Sequence, residues 1–242
     1  MKRVKLTFEY DGSKFRGWQR QPKGRTVEGT IETAMTQLYQ QEIDLVGQGR
    51  TDSGVHAEAQ VAHADLPDTF SLNRLHLALA GLLPEDVALK GSEVVDDRFH
   101  ARFHAKKRTY EYRIVTRRSP MMRHFSWYCK YELSPDILNE CAERILGDHD
   151  FVNFCIPHEG ESTTLCTISK SEWEMRGDLC FYRISGDRFL RHMVRRLVGT
   201  MVLAARSKIE ITDFERLLKG YDTQKKGHSS PAQGLIFKKV SY

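Results

Sequence analysis

The chain has 242 residues, 40% hydrophobic and 29% charged, with a formal net charge of +5. This balance excludes a disordered or collagen-like chain and leaves room for one large domain or two of roughly 100–150 residues. No apolar run approaches the roughly 20 residues of a membrane span, so no membrane partner is expected.

Met1-Lys2-Arg3-Val4-Lys5 passes directly into an alternating pattern, which argues against a secretory leader. Val4, Leu6, Phe8 and Tyr10 alternate with polar residues and predict a half-buried strand. A turn-rich loop through Gly12, Gly17, Pro22 and Gly24 follows. Ile31, Ala34, Met35 and Leu38 have helical spacing. Residues 43–46 and 59–64 read as strands. Ser71 can cap a helix carrying Leu72, Leu75, Leu79 and Leu82, and residues 87–95 read as a strand. The order is β-α-β-β-α-β.

The second half repeats that order. A strand is predicted over 110–115, with Tyr110, Tyr112 and Ile114 on one face. Ser134-Pro135 supplies a cap and a first-turn proline for a helix closed by Gly147. Residues 168–175 and 179–185 predict a hairpin around Arg176-Gly177-Asp178. Leu190, Met193, Val194, Leu197, Val198, Met201 and Val202 form one apolar stripe of a long helix. Thr212-x-x-Glu215 reads as a capping box, and 235–240 as the last strand. The expected fold is therefore α+β, with two ferredoxin-like halves, residues 1–104 and 105–242, side by side around a central basic cleft.

Charge is clustered along the chain. Arg102–Arg123 holds eight Lys/Arg and a single acid, Glu111, and Arg188–Arg206 holds five Arg and no acid. Such runs are the electrostatic footprint of a polyanion partner, or alternatively a solvated basic face. The five cysteines are scattered, odd in number and without a CxxC pair. They suit reduced thiols in a cytoplasmic protein. Cys155 and His158 form a CxxH pair, but no second pair completes a zinc site, so no metal is expected.

The most informative stretch is Gly49-Arg50-Thr51-Asp52-Ser53-Gly54-Val55-His56-Ala57. One carboxylate stands in a loop of small residues, two positions after an arginine. The ordinary reading is a solvated Asp in a turn; the alternative is a nucleophile working on a polyanion. On a helical wheel Arg191 and Arg195 lie one turn apart at the edge of the late apolar stripe. Arg195 facing Asp52 would hold that carboxylate ionised. Asp52-Ser53-Gly54 also matches an aspartic protease triplet, yet that chemistry needs two carboxylates sharing a proton, and only one triplet is present. A non-catalytic RNA-binding protein is the more serious rival, because a ferredoxin-like sheet with surface aromatics also describes an RNA-recognition module.

The chain resembles the TruA family of tRNA pseudouridine synthases over nearly its whole length. The resemblance rests on Glu9-Tyr10-Asp11-Gly12 with Gly17-Trp18-Gln19-Arg20-Gln21, the Gly49–His56 stretch, and Phe99-His100-Ala101-Arg102-Phe103. It continues through Tyr110-Glu111-Tyr112-Arg113, His149-Asp150-Phe151, Met193-Val194-Arg195 with Val198-Gly199, and Pro231-Ala232-Gln233-Gly234-Leu235. It implies Asp52 as the catalytic aspartate, Arg195 as its ion-pair partner, and Tyr110 stacked on the target uracil and able to help remove the C5 proton. Leu235 would pack on the other face of the base, and Arg50 would help displace it. Arg20, Arg102, Lys106, Lys107 and Arg191 would bind RNA. The reaction needs no cofactor, since the glycosidic bond is broken at N1 and remade at C5 without addition or oxidation. The resemblance also implies a homodimer acting on the 3′ side of the tRNA anticodon arm. Ser53 and Cys155 depart from the residues the family often carries at those places.

Overall fold

A computed structural model describes residues 1–68, 71–156, 163–220 and 225–242. His158, of the CxxH pair, lies outside the described residues. The chain divides into two compact units, Met1–Lys106 with Phe237–Tyr242, and Lys107–Ile236. The fold is mixed α+β.

The first unit runs β1 (Lys2–Tyr10), α1 (Val27–Tyr39), β2 (Val46–Gly47), β3 (His56–Leu66), α2 (Leu72–Leu82) and β4 (Val87–Val94). β1 is central and antiparallel to both β3 and β4, with Leu6 opposite Ala62 on one side and Ser92 on the other. β2 joins the far edge of β3, Val46 opposite His63. The predicted alternation of β1 holds: Val4, Leu6, Phe8 and Tyr10 are buried. Ser71 caps α2 by accepting a hydrogen bond from the Arg74 N–H. The strand predicted over 43–46 is confined to Val46–Gly47. Ile43 and Leu45 are buried without a ladder, and the Leu45 N–H donates instead to the Glu32 carboxylate at 3.2 Å.

The second unit runs β5 (Lys107–Val115), β6 (Trp127–Tyr128), α3 (Pro135–Glu143), β7 (Gly147–Asp150), β8 (Leu165–Arg176), β9 (Leu179–Gly186), α4 (Met193–Ala205) and α5 (Ile211–Leu218). Its strands are ordered β5-β9-β8-β7, with β6 parallel to the outer side of β5. The predicted hairpin closes at Arg176 opposite Leu179, with Gly177 at φ +57°. The last strand, β10 (Leu235–Ser241), crosses the division: its first two residues belong to the second unit and the rest to the first. Lys238 of β10 pairs with Glu58 of β3, and the Lys106 N–H donates to the Ser241 carbonyl at 2.8 Å.

Three local expectations are corrected. Gly147 does not close α3, which ends at Glu143; Gly147, at φ +94°, opens β7. The capping box of α5 is Glu210 with Asp213, because the helix begins at Ile211 and places Thr212 inside its first turn. Glu215 is used elsewhere, taking the Arg144 guanidinium at 2.6 Å. The apolar stripe is buried on α4 as expected, but the helix starts at Met193 after His192 in the left-handed region, φ 65°. Leu190 and Arg191 therefore precede the helix, and Arg191 and Arg195 are not neighbours on a helical face.

Candidate active site

Asp52 sits in the connection from β2 to β3, and two backbone segments hold that connection. The Trp18 N–H donates to the Thr51 carbonyl at 3.1 Å, and the Gly54 N–H and Ser53 hydroxyl both donate to the Phe15 carbonyl at 3.3 and 3.1 Å. Val55 N–H closes the turn onto the Asp52 carbonyl at 3.1 Å. Thr51 is buried, and its hydroxyl meets the Tyr10 hydroxyl at 2.7 Å. Asp52 itself is half-buried.

The glycines in the preceding loop permit this approach of backbone to backbone. A Cβ on Gly12 would stand 2.0 Å from the Val55 carbonyl oxygen, and one on Gly17 would stand 2.5 Å from that of Thr51. Gly17 also has φ +88°, a region L-residues rarely enter. On the other side, Gln48 and Gln60 bind each other at 2.9 Å, and Gln60 donates to the Gly49 carbonyl at 2.8 Å.

Behind the loop lies Glu28, in the first turn of α1. Its buried carboxylate accepts from Trp18 Nε1 at 3.1 Å, Gln19 Nε2 at 2.7 Å and the Arg20 N–H at 2.7 Å. Burial raises its pKa, opposed by those donors. Gln19 then turns its carbonyl oxygen toward Arg50 Nε at 3.0 Å. Glu28 therefore orients Gln19, and Gln19 orients the exposed Arg50, two residues from Asp52. Arg20 is exposed and reaches Glu32 at 3.3 Å. Sequence reading missed Glu28 altogether, since an acid in a first helical turn reads as an ordinary complement to the helix dipole.

In the second unit Arg195 is the third residue of α4. Its Nε donates to the Ser230 carbonyl at 2.9 Å, while its own carbonyl accepts from the Ser230 N–H at 3.0 Å. The segment before β10 can cross α4 this closely because of Gly199, where a Cβ would lie 2.1 Å from the His228 carbonyl oxygen. The next carbonyl, that of Pro231, accepts from the Tyr112 hydroxyl at 2.7 Å. Burial raises the pKa of that phenol. Gly234 lies against the Tyr112 ring, 2.5 Å from Cζ to where a Cβ would be. Leu235 follows and is buried. Tyr110, two residues before Tyr112 on β5, is buried and meets Phe189 edge-on at 5.2 Å. Arg195, Tyr110 and Leu235 are thus gathered on one hydrogen-bonded frame within the second unit, while Arg50 and Asp52 share a loop of the first.

The basic runs are less uniformly available than their sequence suggests. Arg113 and Arg183 both engage Glu111 at 2.9 Å, and Arg117 reaches Asp178 at 2.8 Å. Arg196 is turned onto the Cys155 carbonyl at 2.8 Å. Arg102, Lys106 and Lys107 remain exposed. All five cysteines are buried as free thiols. Among the described residues no group of acids, histidines and cysteines is arranged to hold a metal, and no helix is long and apolar enough to cross a membrane.

Comparison with known proteins gives a consistent answer. The sequence model of a family described as tRNA pseudouridine synthase matches residues 6–104 and 141–242. The intervening stretch, which contains Tyr110, lies outside that match but inside the alignments to full-length relatives. The tRNA pseudouridine synthase A of Bacillus subtilis is 38% identical over 244 residues, covering 99% of each chain. That of Paramagnetospirillum magneticum is 39% identical over 245 residues, covering 100% of this chain and 96% of the relative. That of Dictyoglomus thermophilum is 38% identical over 242 residues, covering 98% of each. The chain belongs to the tRNA pseudouridine synthase family, and it is an isomerase that converts uridine in tRNA to pseudouridine.

Proposed function

We propose that Asp52 is the nucleophile of this isomerisation and that Arg195 is the cation that keeps it ionised. The observation that carries the reading is the Asp52 loop itself. It is pinned by four hydrogen bonds from backbone and hydroxyl groups and backed by glycines that admit no Cβ, with Asp52 itself half-buried. A nucleophile works best when its geometry is fixed before the substrate arrives.

The reaction breaks the N1–C1′ bond of uridine, turns the uracil, and forms the C5–C1′ bond. The C5 proton is lost and N1 regains one, so atoms and electrons balance within the nucleoside. Asp52 supplies the carboxylate and Tyr110 the ring against the uracil, with its phenol at the C5 proton. Leu235 covers the other face of the base, and Arg50 holds the strand from which the base is drawn. Extruding the base costs about a few kcal/mol, least in a loop or strained stem. This favours the anticodon arm as the target.

The wider arrangement belongs to the same proposal. The antiparallel pairings of β1 with β3 and β4, and of β9 with β5 and β8, support a ferredoxin-like arrangement within each half. The halves are residues 1–104 and 105–242. Arg20, Arg102, Lys106, Lys107 and Arg191 track the tRNA backbone. The protein works in the cytoplasm as a homodimer, each tRNA touching both subunits.

Asp52→Asn tests the core of this reading. Tritium release from tRNA labelled at uridine C5 should vanish, while affinity for the tRNA stays within a few fold. Retained turnover in the variant would refute the assignment.

A further inference from the structure

We propose that Phe103 is a stacking platform for a nucleobase of the bound tRNA, outside the reacting uridine's own site. The proposal rests on tRNA being the substrate. Phe103 is 74% exposed, and among the described residues no other phenylalanine or tryptophan is a large exposed hydrophobic.

The loop is built on imidazole acceptors. His100 Nδ1 accepts from the Arg102 and Phe103 N–H groups at 3.2 and 3.3 Å, and His104 Nδ1 accepts from the His100 N–H at 3.3 Å. His63 Nδ1 accepts from the Ala101 N–H at 3.2 Å, and the Tyr242 hydroxyl donates to the Ala101 carbonyl at 3.0 Å. The rings themselves touch in series. Buried His63 lies 4.9 Å from His100, and His100 lies 4.3 Å from Phe103, the latter pair inclined by only 33°. The series begins at a buried ring and ends at the exposed Phe103 ring. The geometry therefore presents a pre-positioned ring, and a flat π-face is what fills that place with least loss of freedom.

Charge identifies the occupant. The Arg102 guanidinium lies over the Phe103 ring, 5.8 Å from its centroid, and Arg102 is exposed, as is Lys106, three residues after Phe103. The acids that precede the loop are partly engaged, Asp96 by Arg98 at 3.1 Å. An exposed aromatic ring with a guanidinium beside it fits a base carried on a phosphate backbone.

The test uses the full chain and one unmodified tRNA, with affinity measured across a salt series. Phe103→Ala should weaken binding by roughly 5- to 150-fold, the usual loss for one base–aromatic stack. It should leave the slope of log affinity on log salt unchanged, because a stack displaces no counterions. Phe103→Trp should restore affinity and Phe103→Leu should not. Arg102→Gln, by contrast, should flatten the slope by about 0.7–0.9 if that cation meets one phosphate. Affinity within twofold of the parent in Phe103→Ala would overturn the proposal, as would equal rescue by Leu and Trp. A change in molar mass by light scattering would also overturn it, since the ring would then cover a second copy of the chain. Tritium release by the parent protein is measured alongside: an inert parent defeats the substrate assignment, whereas an active parent with an unaffected Phe103→Ala defeats this inference alone.

Discussion

Replacing Glu28 by Gln should disturb the Asp52 loop without touching it. Three donors converge on two carboxylate oxygens: Trp18 Nε1 on one, and Gln19 Nε2 with the Arg20 N–H on the other. A glutamine offers one acceptor oxygen and one amide donor group. If its oxygen keeps Gln19 and Arg20, its amide meets the Trp18 N–H, donor against donor. If it turns over, Gln19 must flip to follow, and Gln19 then presents its own amide to Arg50 Nε in place of the oxygen now at 3.0 Å. One buried donor is lost in either case, at about 1–3 kcal/mol. Removing an ion whose pKa burial has raised offsets part of that. We expect a net loss of about 1–2 kcal/mol at neutral pH, a fall in Tm of roughly 2–8 °C. The sign of the pH dependence is a second signature. With its folded pKa raised, Glu28 makes the parent lose stability as pH rises from the ordinary carboxylate range through that raised value. The Gln variant should lack this decline. Urea unfolding at several pH values and tritium-release kinetics at saturating and limiting tRNA would measure both effects. A variant with unaltered stability, pH profile and KM would refute the orienting chain from Glu28 through Gln19 to Arg50.

Gly17→Ala should be more damaging than an ordinary loop substitution. Its Cβ would lie 2.5 Å from the Thr51 carbonyl oxygen at φ +88°, so a cost above about 2 kcal/mol is expected, together with lost turnover; near-parental unfolding and activity would contradict it. His63 should titrate far below an ordinary histidine, since burial and the neighbouring His100 lower its pKa to about 4. Its contribution to stability is complete above the ordinary pKa of 6.5 and is lost as pH falls toward about 4. An imidazole NMR titration with a midpoint near 6.5 would exclude this. In a salt series on tRNA binding, Lys106→Ala should reduce the slope by about 0.7–0.9 per phosphate released. Arg117→Ala should change it less, because Asp178 already holds Arg117 at 2.8 Å; the reverse order would be evidence against a partly neutralised basic run.

Features that depend on near neighbours are legible in the chain itself. The alternation of Val4 through Tyr10 fixes the buried face of β1, since successive side chains of a strand point to opposite sides. Ser71 and Ser134 fix two helix starts, each accepting from a backbone N–H three residues on. Gly177 fixes a two-residue hairpin, and the stripe from Met193 to Val202 fixes the buried face of α4. The clustered motifs were enough to identify the family, and the Asp52 loop stood out as small residues around one acid.

Features that depend on partners distant in the chain emerge only on folding. The Leu45 N–H leaves the ladder for Glu32, which shortens β2 to two residues. His192 in the left-handed region starts α4 late and parts Arg191 from Arg195, a backbone choice that helical periodicity does not encode. Glu111 and Asp178 neutralise arginines that a linear count leaves free, because Arg183 and Asp178 arrive from the β8–β9 hairpin. Glu28 gathers three donors that lie eight to ten residues away around a loop. Gly12 and Gly17 are punctuation in the sequence, and only the folded chain shows them as the places where one backbone meets another too closely for a Cβ.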